Sequence, residues 1–254
     1  QRYMALLEQV FMIVKIPAVV RYPRDLMNVD DIIKYSEISL DNGILYFTDE
    51  IYQKYLKKVS INNLVTQQLD EKLEIWNLKL VNESKPSYEV RARINGVTNK
   101  ENVRDFLDYD LLVKFDVQVF SRFEMNKNNL YFVHLCGEAA QKLINEKKFT
   151  YSPNLHICID FNHNNLYTIV TDLKALGIRV YLNFKLLESI NSLALSSLNI
   201  DGIMIYEGLP KDKRSNLLAL SQRFNYTLLT NYEFNDYNKC IWRTEEFVTG
   251  VSNE

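Results

Sequence analysis

Glu89, His134 and Cys158 are side chains that can each bind zinc, and each lies in a different predicted β-strand. Carboxylate, imidazole and thiolate are the usual protein ligands of zinc. The three strands are expected to be near neighbours, so a metal site is one hypothesis for these residues. The other is that they belong to the core, because Cys158 lies between Ile157 and Ile159 and has the setting of a small hydrophobic residue. We favour the core.

Glu89 and Arg93 are a carboxylate and a guanidinium four residues apart on one predicted strand. Side chains at even spacing on a strand share a face, so these two can form an ion pair. A backbone cradle for phosphate needs closely spaced glycines. The closest pair among the seven glycines is Gly202 and Gly208, so the sequence has neither a P-loop nor a dinucleotide-binding fingerprint.

The composition is that of an ordinary globular protein of 254 residues, with 47% hydrophobic residues, 24% charged residues and a net charge of −2. A nucleic-acid partner is not expected, because such proteins usually carry a basic surface. No apolar run approaches the 18 or so residues of a membrane span. The three cysteines are odd in number and widely spaced, which predicts a reduced, cytoplasmic protein. An upstream membrane anchor is left open.

Short β-rich runs alternate with amphipathic helical patterns from about residue 75 onward, which predicts an α/β protein. Several runs are apolar on both faces, as in strands buried within a parallel sheet. The predicted strands are Ile75–Val81, Tyr88–Ile94, Leu130–Leu135, Leu155–Phe161, Arg179–Asn183, Gly202–Tyr206, Tyr226–Leu229 and Cys240–Arg243. Eight strands alternating with helices predict a TIM-like (β/α)8 barrel. The first two are joined by a turn too short for a crossover, so the first strand should be antiparallel.

Helical periodicity is clearest at Asn164–Leu176, followed by Gly177 in the place of a C-cap glycine, and at Lys211–Phe224. The first 70 residues differ in character. They predict a strand within Phe11–Tyr22, a helix at Val29–Leu40 with Asn28 as its N-cap, and a long helix at about Asp49–Leu73. This segment is too short for a core of its own, so it is either the remnant of a larger upstream domain or a cap on the barrel.

The run from Ser87 to Arg93, Ser-Tyr-Glu-Val-Arg-Ala-Arg, resembles the Gly-Tyr-Glu-Ala-Leu-Leu-Arg signature of EAL domains, the fold of cyclic di-GMP phosphodiesterases. Further similar segments follow in the order of that family: Phe132–Leu135, Leu155–Asp160, Leu173–Ile178 and Ser192–Asp201. Upstream, Ala18–Asn42 resembles the end of a GGDEF domain. The resemblance implies a C-terminal part of a GGDEF-like domain at 1–48, a connecting helix at 49–71 and an EAL-type barrel at 72–254.

The resemblance also implies which residues would do chemistry. The family hydrolyses a phosphodiester with two divalent metals held by carboxylates at strand ends. Glu89 matches the first metal ligand, and Arg93 matches the arginine that contacts a phosphate. The other matching positions have lost the residue type that the family uses: His134, Cys158, Asn183, Phe184, Met204 and Asn231. Asn183 and Phe184 stand where the family has paired aspartates, so the resemblance implies a barrel without its bridging metal ligands.

We therefore expect a catalytically inactive, EAL-type regulatory protein of bacterial cyclic di-GMP signalling that acts through an unknown protein partner. No cofactor or metal is expected, and a homodimer is left open. One alternative is a metal-independent cyclic di-GMP receptor that uses the old cleft, with Glu89 and Arg93 as a vestigial phosphate clamp. The second alternative is an active phosphodiesterase, against which the missing aspartates argue. We expect Glu89, His134, Asn183, and either Cys158 or Asp160 to lie near one mouth of the barrel.

Overall fold

The computed structural model describes residues 30, 32–33, 35, 48–81, 85–95, 103–160, 165–184, 195, 197–205, 211–231 and 237–249. The chain divides into two compact units, Gln1–Leu64 and Val65–Glu254. No helix within the described ranges is long and apolar enough to cross a membrane.

The first unit is described at four helical positions between residues 30 and 35 and from Thr48 onward. The four positions fall within the predicted helix Val29–Leu40, whereas the predicted strand within Phe11–Tyr22 and the cap at Asn28 lie outside the described residues. Helix α1, Asp49–Lys72, begins after Thr48, whose Oγ1 accepts a hydrogen bond from the amide of Ile51 at 3.4 Å. Such a cap satisfies an amide that the first helical turn leaves without a partner.

Eight strands form a closed barrel in the second unit, in the order in which they occur in the sequence. They are β1 (Leu73–Val81), β2 (Ser87–Ile94), β3 (Leu130–Leu135), β4 (Leu155–Asp160), β5 (Arg179–Phe184), β6 (Gly202–Ile205), β7 (Thr227–Thr230) and β8 (Cys240–Thr249). β1 runs antiparallel to both β2 and β8, and the remaining neighbours are parallel. The predicted TIM-like barrel and its antiparallel first strand are confirmed.

The described parts of this unit include helices α2 (Tyr109–Arg122), α3 (Gly137–Asn145), α4 (Leu166–Ala175) and α5 (Lys211–Phe224), with a 3-10 helix at Val103–Phe106. Gly177 follows α4 with a φ of 70° and donates its amide to the carbonyl of Lys174, while Ile178 donates to the carbonyl of Leu173. This is the Schellman arrangement, so the predicted role of the glycine is confirmed.

The interior of the barrel is filled by one layer of side chains from seven strands: Leu80, Phe132, Cys158, Tyr181, Met204, Leu229 and Ile241. Successive side chains of a strand point to opposite faces, so a residue two positions from one of these on the same strand also points inward. On the parallel strands, the next inward residue lies nearer the C-terminal end of the barrel. We call this end of the interior the mouth; the catalytic residues of TIM-like barrels generally lie there.

Candidate site at the barrel mouth

The mouth is polar because the inward residues that follow the core layer are polar. His134, Asp160, Asn183 and Arg243 stand two positions after Phe132, Cys158, Tyr181 and Ile241 on β3, β4, β5 and β8. Glu89 lies on β2, beside β3. The expected gathering of Glu89, His134, Asp160 and Asn183 at one end of the barrel therefore appears in the structure.

Glu89 is the centre of the first cluster of charges, and its side chain is 0% exposed. Arg91 Nη2 lies 2.7 Å from Glu89 Oε1. Arg243 contacts both carboxylate oxygens, donating from Nη2 to Oε1 at 3.3 Å and from Nε to Oε2. His134 Nε2 lies 2.8 Å from Oε1, although outside hydrogen-bond geometry. We call Glu89, Arg91, His134 and Arg243 the Glu89 cluster.

The Glu89 cluster holds a charged carboxylate and a neutral imidazole. Burial opposes ionisation of Glu89, but the attraction of Arg243, then Arg91, then His134 outweighs it and holds the pKa of the carboxyl well below its usual range. Burial lowers the pKa of His134 to about 4, with the nearby Glu89 carboxylate opposing that shift. At neutral pH the two arginines are therefore the cations that balance Glu89.

Arg243 also touches two positions that the resemblance assigned to the family's site. Its Nη1 donates to Asn231 Oδ1, and its Nη2 lies 3.1 Å from Met204 Sδ. The sequence interpretation did not include Arg243 as a site residue. The available signal was its spacing, since it stands two residues beyond Ile241, a member of the interior core layer.

A second cluster surrounds Arg104, in the 3-10 helix that follows β2. Its guanidinium pairs with both carboxylate oxygens of Asp116 on α2, at 2.9 and 2.8 Å. Asp116 Oδ2 also accepts the amide of Cys136 at 2.7 Å, just before α3. Arg104 Nη2 lies 3.7 Å from Asp160 Oδ2, and Asp160 Oδ1 accepts the amide of Asn183 at 2.6 Å. Arg104 thus connects the outer helices to the strand ends of the mouth.

The residues of the mouth do not fit the pair of divalent metals that the resemblance implies for its family. The carboxylate of Glu89 is already contacted by two guanidinium groups, and Asn183 supplies an amide where a bridging carboxylate would be needed. Of the zinc candidates, Glu89 and His134 lie together, but Cys158 belongs to the interior core layer, where burial raises the pKa of its thiol well above the usual range. Among the described residues, no group of three metal-ligating side chains occurs.

Arg93 lies apart from these contacts. Its guanidinium carbon is 4.2 Å from the centre of the Trp76 ring, a cation–π distance. The ion pair that sequence reasoning allowed between Glu89 and Arg93 is thus replaced by pairs with Arg91, two residues along the same face, and Arg243. Arg91 is 27% exposed at its side chain, and its Nε has no hydrogen-bond partner among the described residues.

No protein-family model matches the chain, and no curated protein matches it by sequence. Solved structures do resemble it. The EAL enzyme Bd1971 bound to cAMP and cyclic di-GMP is 12% identical, with a TM-score of 0.52 over 74% of this chain and 63% of that one. The cGMP-bound form is 11% identical, with a TM-score of 0.54 over 84% and 69%.

The Bacillus subtilis YkuI protein, with an EAL domain, in complex with cyclic di-GMP and calcium, is 17% identical. Its TM-score is 0.50, over 70% of this chain and 53% of that one. The chain therefore spans between half and two thirds of the YkuI and cyclic di-GMP-bound Bd1971 chains. At these identities the likeness shows that the fold is that of EAL-domain proteins.

Proposed function

We propose that this chain is an EAL-type regulatory protein of cyclic di-GMP signalling that does not hydrolyse the dinucleotide and acts through a protein partner. The observation that supports the proposal is the pairing of the buried Glu89 carboxylate with Arg91 and Arg243. We further propose that residues 1–48 are the C-terminal part of a GGDEF-like domain, joined by a helix at 49–71 to a barrel at 72–254, and that the protein is cytoplasmic.

Hydrolysis of this type needs metal ions that activate a water and neutralise the phosphate. A metal site of this type depends on negatively charged ligands that are free to coordinate. At the mouth, Glu89 is occupied by guanidinium groups, Asp160 lies 3.7 Å from Arg104, and Asn183 is uncharged. A barrel that has exchanged its ligands keeps its core and its outer surfaces, which suits an output by contact with another protein.

The purified chain is expected to give no linear dinucleotide from cyclic di-GMP in the presence of excess Mg²⁺ or Mn²⁺. The physical reason is that no metal-activated water would be available as the nucleophile. Product formation is measured by chromatography against a heat-inactivated sample, with an active EAL phosphodiesterase as the positive control. Metal-dependent product that disappears in the Glu89→Gln variant would refute the proposal and establish the phosphodiesterase alternative.

A metal-independent receptor is the second candidate, and the position of Arg91 favours it. Its side chain is 27% exposed, and its Nε, which is buried, has no hydrogen-bond partner among the described residues. A phosphate oxygen that reaches this nitrogen would supply the missing acceptor. Among the described residues of the mouth, Arg104 and Arg243 are already paired with Asp116 and Glu89.

Cyclic di-GMP is accordingly expected to bind more weakly than about 10 μM, which corresponds to roughly −7 kcal/mol. One charge-assisted hydrogen bond contributes about 1.5–3 kcal/mol, and the loss of translational freedom opposes it. Calorimetric titration of the chain and of the Arg91→Ala and Arg93→Ala variants measures this, with the exposed Arg223→Ala as the matched control. Submicromolar binding that Arg91→Ala or Arg93→Ala abolishes, and Arg223→Ala retains, would make the receptor the better assignment.

A further inference from the structure

We infer that the guanidinium of Arg243 is the resident cation of the barrel mouth, holding the buried Glu89 carboxylate in the way that a bound metal ion would. The inference goes beyond the lack of hydrolysis, because it assigns a structural role to a residue on the last strand. It rests on the proposed function in one respect, that no metal ion occupies the mouth.

Each nitrogen of the Arg243 guanidinium has a partner. Nε and Nη2 contact the two oxygens of Glu89, and Nη1 donates to Asn231. Nη2 also lies 3.1 Å from the sulfur of Met204. A planar guanidinium presents its donors in a fixed fork, so it can contact several partners at once. Arg243 thereby connects β8 to β2, to β6 and to the residue that follows β7.

The Glu89–Arg243 ion pair is buried. The side chain of Glu89 is 0% exposed and that of Arg243 is 8% exposed, so neither charge is solvated by bulk water. Removing one partner of a buried ion pair leaves an uncompensated charge, which is strongly destabilising, whereas replacing both partners with neutral groups is much less so. Arg91 also pairs with Glu89, but at 27% exposure it is nearer to water.

A divalent metal ion would compete with Arg243 for the Glu89 carboxylate. A divalent cation bound to Glu89 would lie against the guanidinium that already contacts both carboxylate oxygens. The divalent cation and the guanidinium would repel each other, and this repulsion is stronger in a buried site than in water. The charge of Glu89 is therefore balanced without a metal ion, and the Tm of the protein should not change when divalent cations are added.

The test is a double-mutant cycle at Glu89 and Arg243. Thermal unfolding of the full chain is followed by near-UV circular dichroism for Arg243→Met, Glu89→Gln and the double variant. Each single variant is expected to lower the Tm by at least about 5 °C, and the double variant by clearly less than the sum. The exposed Arg223→Met is the matched control and should shift the Tm by less than about 2 °C.

Additive losses, or an unchanged Tm in Arg243→Met, would overturn the inference. If Arg243→Met does not fold, a cooperative transition in the double variant supports it. If both Arg243→Met and the double variant fail to fold, the Tm of Arg243→Lys is compared with that of the wild type. A lower Tm supports the role of the fork-shaped guanidinium, and an unchanged Tm contradicts it.

A second measurement uses Mn²⁺ alone, added to the wild-type chain before the same thermal scans. The Tm is expected to stay the same, and a rise that Glu89→Gln abolishes would overturn the inference. The two proposals can fail separately. Turnover of cyclic di-GMP in a chain whose cycle shows strong coupling would refute the proposed function alone, whereas additive variants without turnover would refute the role of Arg243 alone.

Discussion

Replacing Asp116 with alanine is expected to destabilise the barrel by about 3–5 kcal/mol, the usual cost of breaking a buried ion pair. Arg104 and Asp116 have side chains that are only 8% and 1% exposed, and they form a bidentate pair. The substitution leaves the guanidinium without its carboxylate. It also removes the acceptor of the Cys136 amide, which lies just before α3. Urea unfolding of the variant and the wild type measures the difference.

The control for this experiment is Asp110→Ala, on the same helix but exposed. Asp110 lies in the first turn of α2, where a negative charge contributes about 0.3–1 kcal/mol, so the control should lose no more than that. The double variant Arg104→Met with Asp116→Leu should recover part of the lost stability, because it removes both buried charges. If Asp116→Ala lowers the free energy of unfolding by less than about 1 kcal/mol, the Arg104–Asp116 pair contributes little to the stability of the barrel.

The barrel could be predicted from sequence because its signals are local. Strands such as β3 and β6 are apolar on both faces, and the turn between β1 and β2 is too short for a crossover. The length of β8 is not set by local sequence signals. The sequence predicts that this strand ends at Arg243, but it continues to Thr249 because it pairs with β1 from Trp76 to Val81, across an irregularity in register. A partner strand that is distant in sequence sets that length.

The site was predictable only in part, for the same reason. The resemblance to EAL domains implied that Glu89, His134 and Asn183 lie at one end of the barrel. The periodicity of two along β2 places Arg91 and Arg93 on the same face as Glu89, and the sequence interpretation named only Arg93 as its partner. Arg243 was not assigned to the site. The pair between Arg243 and Glu89 joins residues 154 positions apart. Arg104 stands in a short 3-10 helix, which has no periodic pattern that could indicate an inward position.

A stability loss of about 3 kcal/mol is expected for Gly202→Ala, at the start of β6, where the interior is packed too closely for a methyl group. A Cβ at this position would lie 2.3 Å from the carbonyl oxygen of Thr227 and 2.4 Å from the ring of Tyr181. Thr227 is its register partner on β7, so the oxygen belongs to the sheet backbone. Tyr181 is 1% exposed and stacks against His156, so its ring has little room to move.

Gly177→Ala provides the comparison that isolates this effect. A Cβ there would lie 2.5 Å from Tyr151, but that ring is 74% exposed and can turn away into solvent. What the substitution cannot avoid is the left-handed backbone at φ 70°, which costs about 1–2 kcal/mol for a residue with a side chain. Urea unfolding should therefore rank the wild type above Gly177→Ala, and Gly177→Ala above Gly202→Ala. If Gly202→Ala is more stable than Gly177→Ala, the start of β6 can accommodate a methyl group. The close packing of Tyr181 against β7 would then not constrain the backbone at this position.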